Sequence, residues 1–196
     1  MHNFKNRKIV VALLLLLFPC SVLANAGVPM LFLAMPVFVI SLLPIIAIET
    51  LYLSKSMALN IARAAKTVSI SNLVSTVVGI PLTWVILVVL QMVTGGSSAY
   101  GTDTVLGKIL AVTWQAPWLI PYEQELGWMV PTAGVVLLVP FFFASWWAEY
   151  FVLKKILKEQ RPGQLKAKVR NANLITYVLL ACWPISMLVF NYVLSY

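Results

Sequence analysis

Two glutamates and two asparagines are the residues whose type and spacing could support chemistry. Glu49 lies six residues before Lys55 and Asn72 six residues after Lys66, at the two ends of a basic turn, residues 55–66. Glu149 lies six residues before Lys155 and Asn173 five residues after Lys168, in a second basic segment, residues 154–170. A helix rises 1.5 Å per residue, so all four would sit roughly 9 Å inward from these turns. We therefore predict two Glu–Asn pairs in one layer of a helical bundle, with Glu49 near Asn72 and Glu149 near Asn173.

The sequence around the first Glu–Asn pair recurs around the second. The pattern Glu-x-x-x-Leu-x-Lys begins at Glu49 and again at Glu149, and Asn-Leu-[Val/Ile]-[Ser/Thr] begins at Asn72 and again at Asn173. The offsets are 100 and 101 residues. Each copy leads an apolar segment into a basic turn and another apolar segment back. The sequence therefore predicts an internal duplication of a helical hairpin.

The predicted polar layer has three interpretations. Polar side chains can hold membrane helices together by hydrogen bonds of about 0.6–2 kcal/mol each. Alternatively, an ionisable residue inside a span marks an ion, proton or substrate path, and two facing carboxyl groups favour sharing a proton. A lipid or cofactor could also bind there, although no motif in the sequence indicates a cofactor. The residues of the layer are Glu49, Asn72, Ser75, Glu149, Asn173 and Thr176.

Composition places these residues in a membrane. Hydrophobic residues make up 61% of the chain and charged residues 10%, whereas soluble domains are nearer half apolar and a quarter charged. Four apolar segments have the length of a membrane span, at residues 29–53, 72–93, 129–153 and 172–194. We predict an all-α integral membrane protein whose four transmembrane helices form two out-in-out hairpins, residues 27–94 and 129–196.

The amino-terminal segment resembles a secretory signal. A basic stretch ends at Lys8, a Leu-rich run follows from Ile9 to Phe18, and Ala24-Asn25-Ala26 provides small residues at cleavage spacing. Residues 1–26 are therefore predicted to be a signal peptide. The alternative is an uncleaved fifth helix.

Residues 95–128 are the one long polar-leaning stretch, predicted to be an external amphipathic segment. Thr102 or Asp103 could cap a short helix that runs through Ala116. Aromatic side chains favour the membrane interface, where one ring edge stays hydrated. The interfacial aromatics are predicted to be Trp114, Trp118 and Trp128.

The distribution of charge predicts orientation and partners. Thirteen of the fourteen Lys and Arg residues lie before the first apolar run or in the two basic turns, and Lys108 alone lies in 95–128. Positive residues favour the cytoplasmic side, so both mature termini would be outside, in a bacterial inner (plasma) membrane. Anionic lipid headgroups would contact the basic turns. This placement makes a nucleic-acid partner unexpected despite the net charge of +8.

Enzymatic and metal-binding roles find no support in the sequence. The only histidine is His2, and the two cysteines lie in different apolar runs, so no Ser-His, Cys-His or metal-ligand pattern can be assembled. We predict a non-enzymatic membrane subunit that works through helix contacts with a membrane-protein partner or in a homo-oligomer. The alternative is a small oligomeric transporter or channel that uses the Glu/Asn layer.

Overall fold

The computed structural model describes residues 30–94, 101–113 and 125–194 of the chain. These residues form five helices and no strand: α1 Met30–Ser56, α2 Ile61–Thr94, α3 Val105–Val112, α4 Leu126–Ile156 and α5 Pro162–Leu194. The predicted signal peptide, residues 1–26, lies outside the described residues.

Helices α1, α2, α4 and α5 are long and apolar enough to cross a membrane, which confirms the prediction of an all-α, multi-pass membrane protein. The 34 residues of α2 extend about 51 Å at 1.5 Å per residue, and the hydrocarbon core of a bilayer is only about 30 Å thick. Helix α2 therefore continues beyond the hydrocarbon. Large apolar side chains such as Val77 and Val178 cover the outward faces of the helices.

The four long helices pack in the cyclic order α1, α2, α4, α5. Helix α1 contacts α2 and α5, and α4 contacts the same two helices from the opposite corner. In the described part of the chain α2 and α5 do not meet, while α1 and α4 touch across the centre. Side chains that point to the centre from α1 and α4 therefore lie close to one another.

The basic turns are much shorter than the sequence predicts. The sequence predicts a basic turn at residues 55–66, with a continued helix as the alternative, and a basic loop at residues 154–170. In the structure only 57–60 and 157–161 lie between helices. Helix α2 begins early because Asn60 caps it, its Oδ1 accepting a hydrogen bond from the Ala62 amide at 2.9 Å. Helix α5 begins at Pro162, where the missing N–H of proline costs no helical hydrogen bond. The pattern Arg161-Pro162-Gly163 predicts the turn of this loop, but the chain turns at residues 157–161 and Pro162 already belongs to the helix, so this prediction is wrong.

Helix α3 is also shorter than predicted, and a different residue caps it. Thr104, rather than Thr102 or Asp103, has the extended backbone of a cap, and its hydroxyl accepts a hydrogen bond from the Gly107 amide at 3.0 Å. The described helix ends at Val112, before the predicted end at Ala116. It buries Gly107, Ala111 and Val112 against α4 and leaves its other apolar face exposed.

We expect Gly107→Ala to loosen α3 from the bundle. A β-carbon at this buried position would collide with the backbone carbonyl oxygen of Gly101, so the preceding segment or the helix must move. Hydrogen exchange of the amides of 105–112 should become faster, with little change in the four long helices. Gly163→Ala, near the start of α5, is the matched control, because a β-carbon there meets nothing within 4 Å. Equal exchange in the two variants would contradict this packing.

Two apolar clusters fill the centre of the bundle at different depths. The turn-side cluster lies near the short basic turns and comprises Leu53, Val68, Tyr150, Leu153, Leu157, Leu165, Val169 and Ala172. The α3-side cluster comprises Ala111, Val112, Met129, Ala133, Leu137 and Phe141. Along α4, Phe141 belongs to one cluster and Leu153 to the other, and Glu149 lies between them. The structure therefore holds its buried acidic residues between two apolar layers.

Candidate functional site

Glu49 is buried in the centre of the bundle and accepts hydrogen bonds from two helices. Its side chain lies on α1 and is 1% exposed. Asn72 of α2 donates from Nδ2 to Glu49 Oε2 at 2.7 Å. Thr176 of α5 donates from Oγ1 to Glu49 Oε1 at 3.0 Å. Glu49 thus joins α1 to both of its neighbours in the ring.

Glu149 has the same surroundings, assembled from the corresponding helices. It lies on α4 and is 2% exposed. Asn173 of α5 donates from Nδ2 to Glu149 Oε2 at 2.8 Å. Ser75 of α2 donates from Oγ to Glu149 Oε1 at 3.3 Å. All six residues predicted for the polar layer therefore take part in two hydrogen-bonded groups of three at the centre of the bundle.

The connections within these groups cross between the two helix pairs. Each glutamate receives an amide from the helix that follows it in sequence and a hydroxyl from the other pair of helices. The amide contacts Glu49–Asn72 and Glu149–Asn173 are the two expected from the sequence. The hydroxyl contacts were not predicted, although Ser75 and Thr176 each lie three residues after an asparagine and so share its face of the helix.

Four hydrogen-bond donors compensate for much of the cost of burying two carboxyl groups. A buried polar group without a partner is expensive, and a buried charge more so. Every carboxyl oxygen of Glu49 and Glu149 accepts a bond from the protein, and both groups line the same cavity. The only salt bridge among the described residues is the exposed pair Arg63–Glu159. The two acids therefore have neutral donors as their partners, and neither bonds to a Lys or Arg of the described residues.

A small cavity adjoins the layer. Its volume is about 70 Å³, and its walls include both glutamates, both asparagines and Ser75. A cavity can hold a water once its probe-occupied volume reaches about 10–15 Å³, so this one has room for several waters or a small ion. Asn173 also lines it, and its buried Oδ1 accepts no hydrogen bond within the described part of the chain.

Tyr177 and Ser145 form a further polar pair that the sequence reasoning missed. Their hydroxyl groups lie 2.8 Å apart, and both residues line the cavity. The available signal was helical spacing, because Tyr177 follows Asn173 by four residues and Ser145 precedes Glu149 by four. On the walls that α4 and α5 contribute, the cavity is therefore lined by two polar residues in addition to those of the predicted layer.

Only one of the three predicted interfacial aromatics lies in the part of the chain that the structure describes. Trp114 and Trp118 lie outside the described residues. Trp128 is half-buried on α4, where its indole Nε1 donates to the Glu125 carboxylate and its ring lies 5.7 Å from Lys108 Nζ. Trp128 also packs against the α3-side cluster. This tryptophan therefore helps to hold α3 against α4.

A second group of aromatic and basic residues lies at the turn end of α4, and the sequence reasoning did not single it out. Lys166 Nζ lies 4.2 Å from the centre of the Trp147 ring and 5.5 Å from that of Trp146. Trp146 in turn donates from Nε1 to the Lys166 carbonyl oxygen at 3.2 Å. Tryptophan and lysine together are typical of a membrane interface.

The side chains of the described residues indicate few other functional sites. No group of three or more His, Cys, Asp or Glu residues in 30–94, 101–113 and 125–194 could hold a metal ion. The polar layer can share protons, hold a small ion or tie helices together. Comparison with known protein families, curated proteins and solved structures finds no match to this chain.

Proposed function

We propose that this integral membrane protein is a non-enzymatic subunit or assembly partner that works through helix contacts, with another membrane protein or with copies of itself. One observation carries the proposal: the polar groups at the centre are bonded to one another and lie between two apolar clusters. The turn-side cluster covers the layer on one side and the α3-side cluster on the other. A polar layer enclosed between two apolar clusters suits a rigid scaffold better than a pathway for ions or solutes.

The outer surface of α5 offers a place for such a contact. Cys182 and Ser186 are small, exposed and one helical turn apart, and each donates to a carbonyl of its own helix. Small residues at four-residue spacing let membrane helices approach closely. Because both side chains already donate a hydrogen bond within their own helix, they can pack against an apolar partner without leaving a buried donor unpaired.

Co-purification from native membranes tests the proposal. A tagged full-length chain, extracted in mild detergent, should retain a stoichiometric membrane-protein partner or elute as a defined oligomer. Ser186→Trp should release it, because the indole blocks close approach of a second helix. Ile185→Trp is the matched control, at the same depth but about 100° around the helix. A monomer without partner, or equal loss in both variants, would refute the proposal.

A second candidate function is proton or ion passage, supported by two buried carboxyl groups that line the same cavity. Neither carboxyl group is bonded to a cation among the described residues, and intramembrane carboxyls often mark transport paths. Purified protein in liposomes should then show proton or cation flux. Glu49→Gln and Glu149→Gln should abolish the flux in protein that still folds. Flux that is equal in wild type and both variants would exclude this role for the layer.

We further propose that the two helix pairs are duplicated out-in-out hairpins, residues 27–94 and 129–196, flanking an external segment 95–128. The matched positions support this: Val68 and Val169, 101 apart, each accept a hydrogen bond from the asparagine four residues later at 3.2 Å. The basic turns would face the cytoplasm of a bacterial cell and contact anionic headgroups, with Lys166 held beside them by tryptophans.

Cleavage of the predicted signal after Ala26 would leave both termini outside. Mass spectrometry of the membrane-extracted protein should find a chain that begins near Gly27, and a mass that includes Lys5 would contradict cleavage. A cysteine introduced by Gly163→Cys should resist an impermeant thiol reagent added from outside, whereas Ser98→Cys should react. The reverse pattern would invert the proposed orientation.

A further inference from the structure

The small cavity lies on one side of the polar layer. On α4 its lining runs from Glu149 to Leu138, and on α5 it runs from Asn173 through Tyr177 to Leu180. Both series lead away from the basic turns and toward the α3-side cluster. The polar layer is therefore the floor of this cavity, and apolar side chains such as Leu138 and Leu180 belong to its walls.

Two acceptors fix the orientation of the Asn173 amide. Its Nδ2 donates to Glu149 Oε2 at 2.8 Å and to the Val169 carbonyl oxygen at 3.2 Å, and exchanging the nitrogen and the oxygen would lose both bonds. Val169 lies one helical turn back toward the basic turn, on the side away from the cavity. The other end of the amide, Oδ1, therefore points to the cavity side of the layer.

Asn173 Oδ1 is an acceptor without a donor. The residue is 0% exposed, and this oxygen accepts no hydrogen bond from the described residues. Of the six residues of the layer, only Asn173 has a buried polar atom left unpaired within the described part of the chain. A buried acceptor without a partner is costly, so a group with positive charge or a hydrogen atom to donate would stabilise the fold here.

The two carboxyl groups on the same floor have no counter-charge from the described residues. Glu49 and Glu149 accept their hydrogen bonds from neutral amide and hydroxyl groups, and the one salt bridge lies elsewhere, between Arg63 and Glu159. A carboxylate oxygen that accepts one hydrogen bond keeps a second lone pair. A buried carboxylate without a positive partner is unfavourable, so the floor of the cavity attracts positive charge.

A cation meets both requirements, whereas water meets one. Water can donate a hydrogen bond to Asn173 Oδ1, but it leaves the charge of the carboxylates unbalanced. A cation is attracted by the amide oxygen and by both carboxylates. Carboxylate and carbonyl oxygens suit hard cations rather than the metals that prefer sulfur or imidazole.

The charge of the ion follows from the cost of removing its water, which rises with the square of that charge. Calcium takes about six to eight oxygen ligands, and magnesium keeps several of its waters. The buried carboxyl and amide oxygens described here come from only three side chains, and the cavity beside them is about 70 Å³. A small, singly charged ion is therefore the one that fits this floor.

We propose that the floor of the cavity binds one sodium ion, or another singly charged cation of its size, with Glu49, Glu149 and Asn173 Oδ1 as ligands. The ion supplies the positive charge that no bonded Lys or Arg provides and the partner that Oδ1 lacks. This assignment names an ion for the layer without requiring that ions pass through it, because a bound ion that stays in place would serve a scaffold equally well.

Thermal unfolding of the full-length protein in detergent, at constant ionic strength, tests the site. Sodium chloride replaces the chloride salt of N-methyl-D-glucamine, a bulky cation, in steps. The unfolding temperature should rise by about 3–6 °C for each tenfold increase in sodium above its Kd. Binding of radioactive sodium to the same protein should saturate at one ion per chain.

Glutamine variants separate the charge of the layer from its hydrogen bonds. Glu49→Gln and Glu149→Gln each keep an oxygen that accepts from the asparagine, so the protein should fold, while sodium binding should weaken by about tenfold or more because one negative charge is lost. Glu159→Gln is the matched control. It removes an exposed carboxyl group that pairs with Arg63, and its sodium response should equal that of the wild type.

Three results would overturn the proposal. Equal unfolding temperatures in sodium and N-methyl-D-glucamine, with no saturable sodium binding, would show that the layer holds only protons or water. An unchanged sodium response in both Glu49→Gln and Glu149→Gln would place the ion elsewhere. Stabilisation by calcium and none by sodium would refute a singly charged ion. These readouts are independent of co-purification and of flux, so failure of the site is distinguishable from failure of either proposed function.

Discussion

Asn72→Leu and Asn173→Leu should each destabilise the bundle by about 1–3 kcal/mol, the usual cost of leaving a buried acceptor unsatisfied. Each change removes the amide that donates to a buried carboxyl oxygen, at 2.7 Å for Glu49 and 2.8 Å for Glu149. Thermal and chemical unfolding of purified protein in detergent would measure the loss. The effect should be similar at the two positions because their surroundings match.

Glu49→Gln and Glu149→Gln should be milder than either asparagine change. A glutamine oxygen still accepts from the asparagine, and its amide can donate to the hydroxyl of Thr176 or Ser75, which turns to accept. The double variant Glu49→Leu/Asn72→Leu should also lose less than the sum of its single changes, because both polar partners are removed together.

Ser186→Ala provides the baseline for these variants. Its hydroxyl lies on the exposed face of α5 and donates to the Cys182 carbonyl oxygen of its own helix, so its removal should change stability by less than about 0.5 kcal/mol. If the asparagine variants were as stable as Ser186→Ala, the layer would contribute nothing to folding. If the glutamine variants were the least stable, both carboxyl groups would be structurally essential.

Leu153→Ala should have the largest effect of any single change considered, about 2–5 kcal/mol. Leu153 is 0% exposed at the centre of the turn-side cluster. Truncation leaves a cavity that the surrounding residues fill only in part. Unfolding in detergent at constant lipid content would measure the difference from wild type.

Leu174→Ala is the matched control for this experiment. Leu174 lies on α5 and is 52% exposed on the apolar outer surface, where lipid or detergent chains can take the space of the lost methyl groups. Its removal should therefore cost much less. Equal losses at the two positions would mean that the turn-side cluster is not packed as a protein interior.

The helix ends show where local sequence signals misled. The Lys and Arg residues at positions 55–66 and 154–170 follow apolar segments, and their charge predicts a turn at the first position and a loop at the second. Lysine and arginine are nevertheless good helix formers, and Asn60 and Pro162 provide strong helix starts just after the short turns. Charge therefore locates the edge of the hydrocarbon and not the end of the helix.

The sequence by itself determined the membrane class, the number of apolar spans and the shared depth of the two Glu–Asn pairs. These properties depend on hydropathy along the chain and on the constant rise of a helix, both of which are local. Depth relative to the basic turns placed Glu49 beside Asn72 and Glu149 beside Asn173. The repeated spacing then made the two surroundings alike.

Only the tertiary structure decided how the helices face one another. In a soluble bundle an apolar stripe orients each helix toward the core, but here lipid and core are both apolar, so periodicity leaves the rotation of each helix open. The hydroxyl bonds from Thr176 to Glu49 and from Ser75 to Glu149 depend on that rotation and on the ring order of the helices. So does the apolar groove between α1 and α5, whose walls include Pro44 and Leu180.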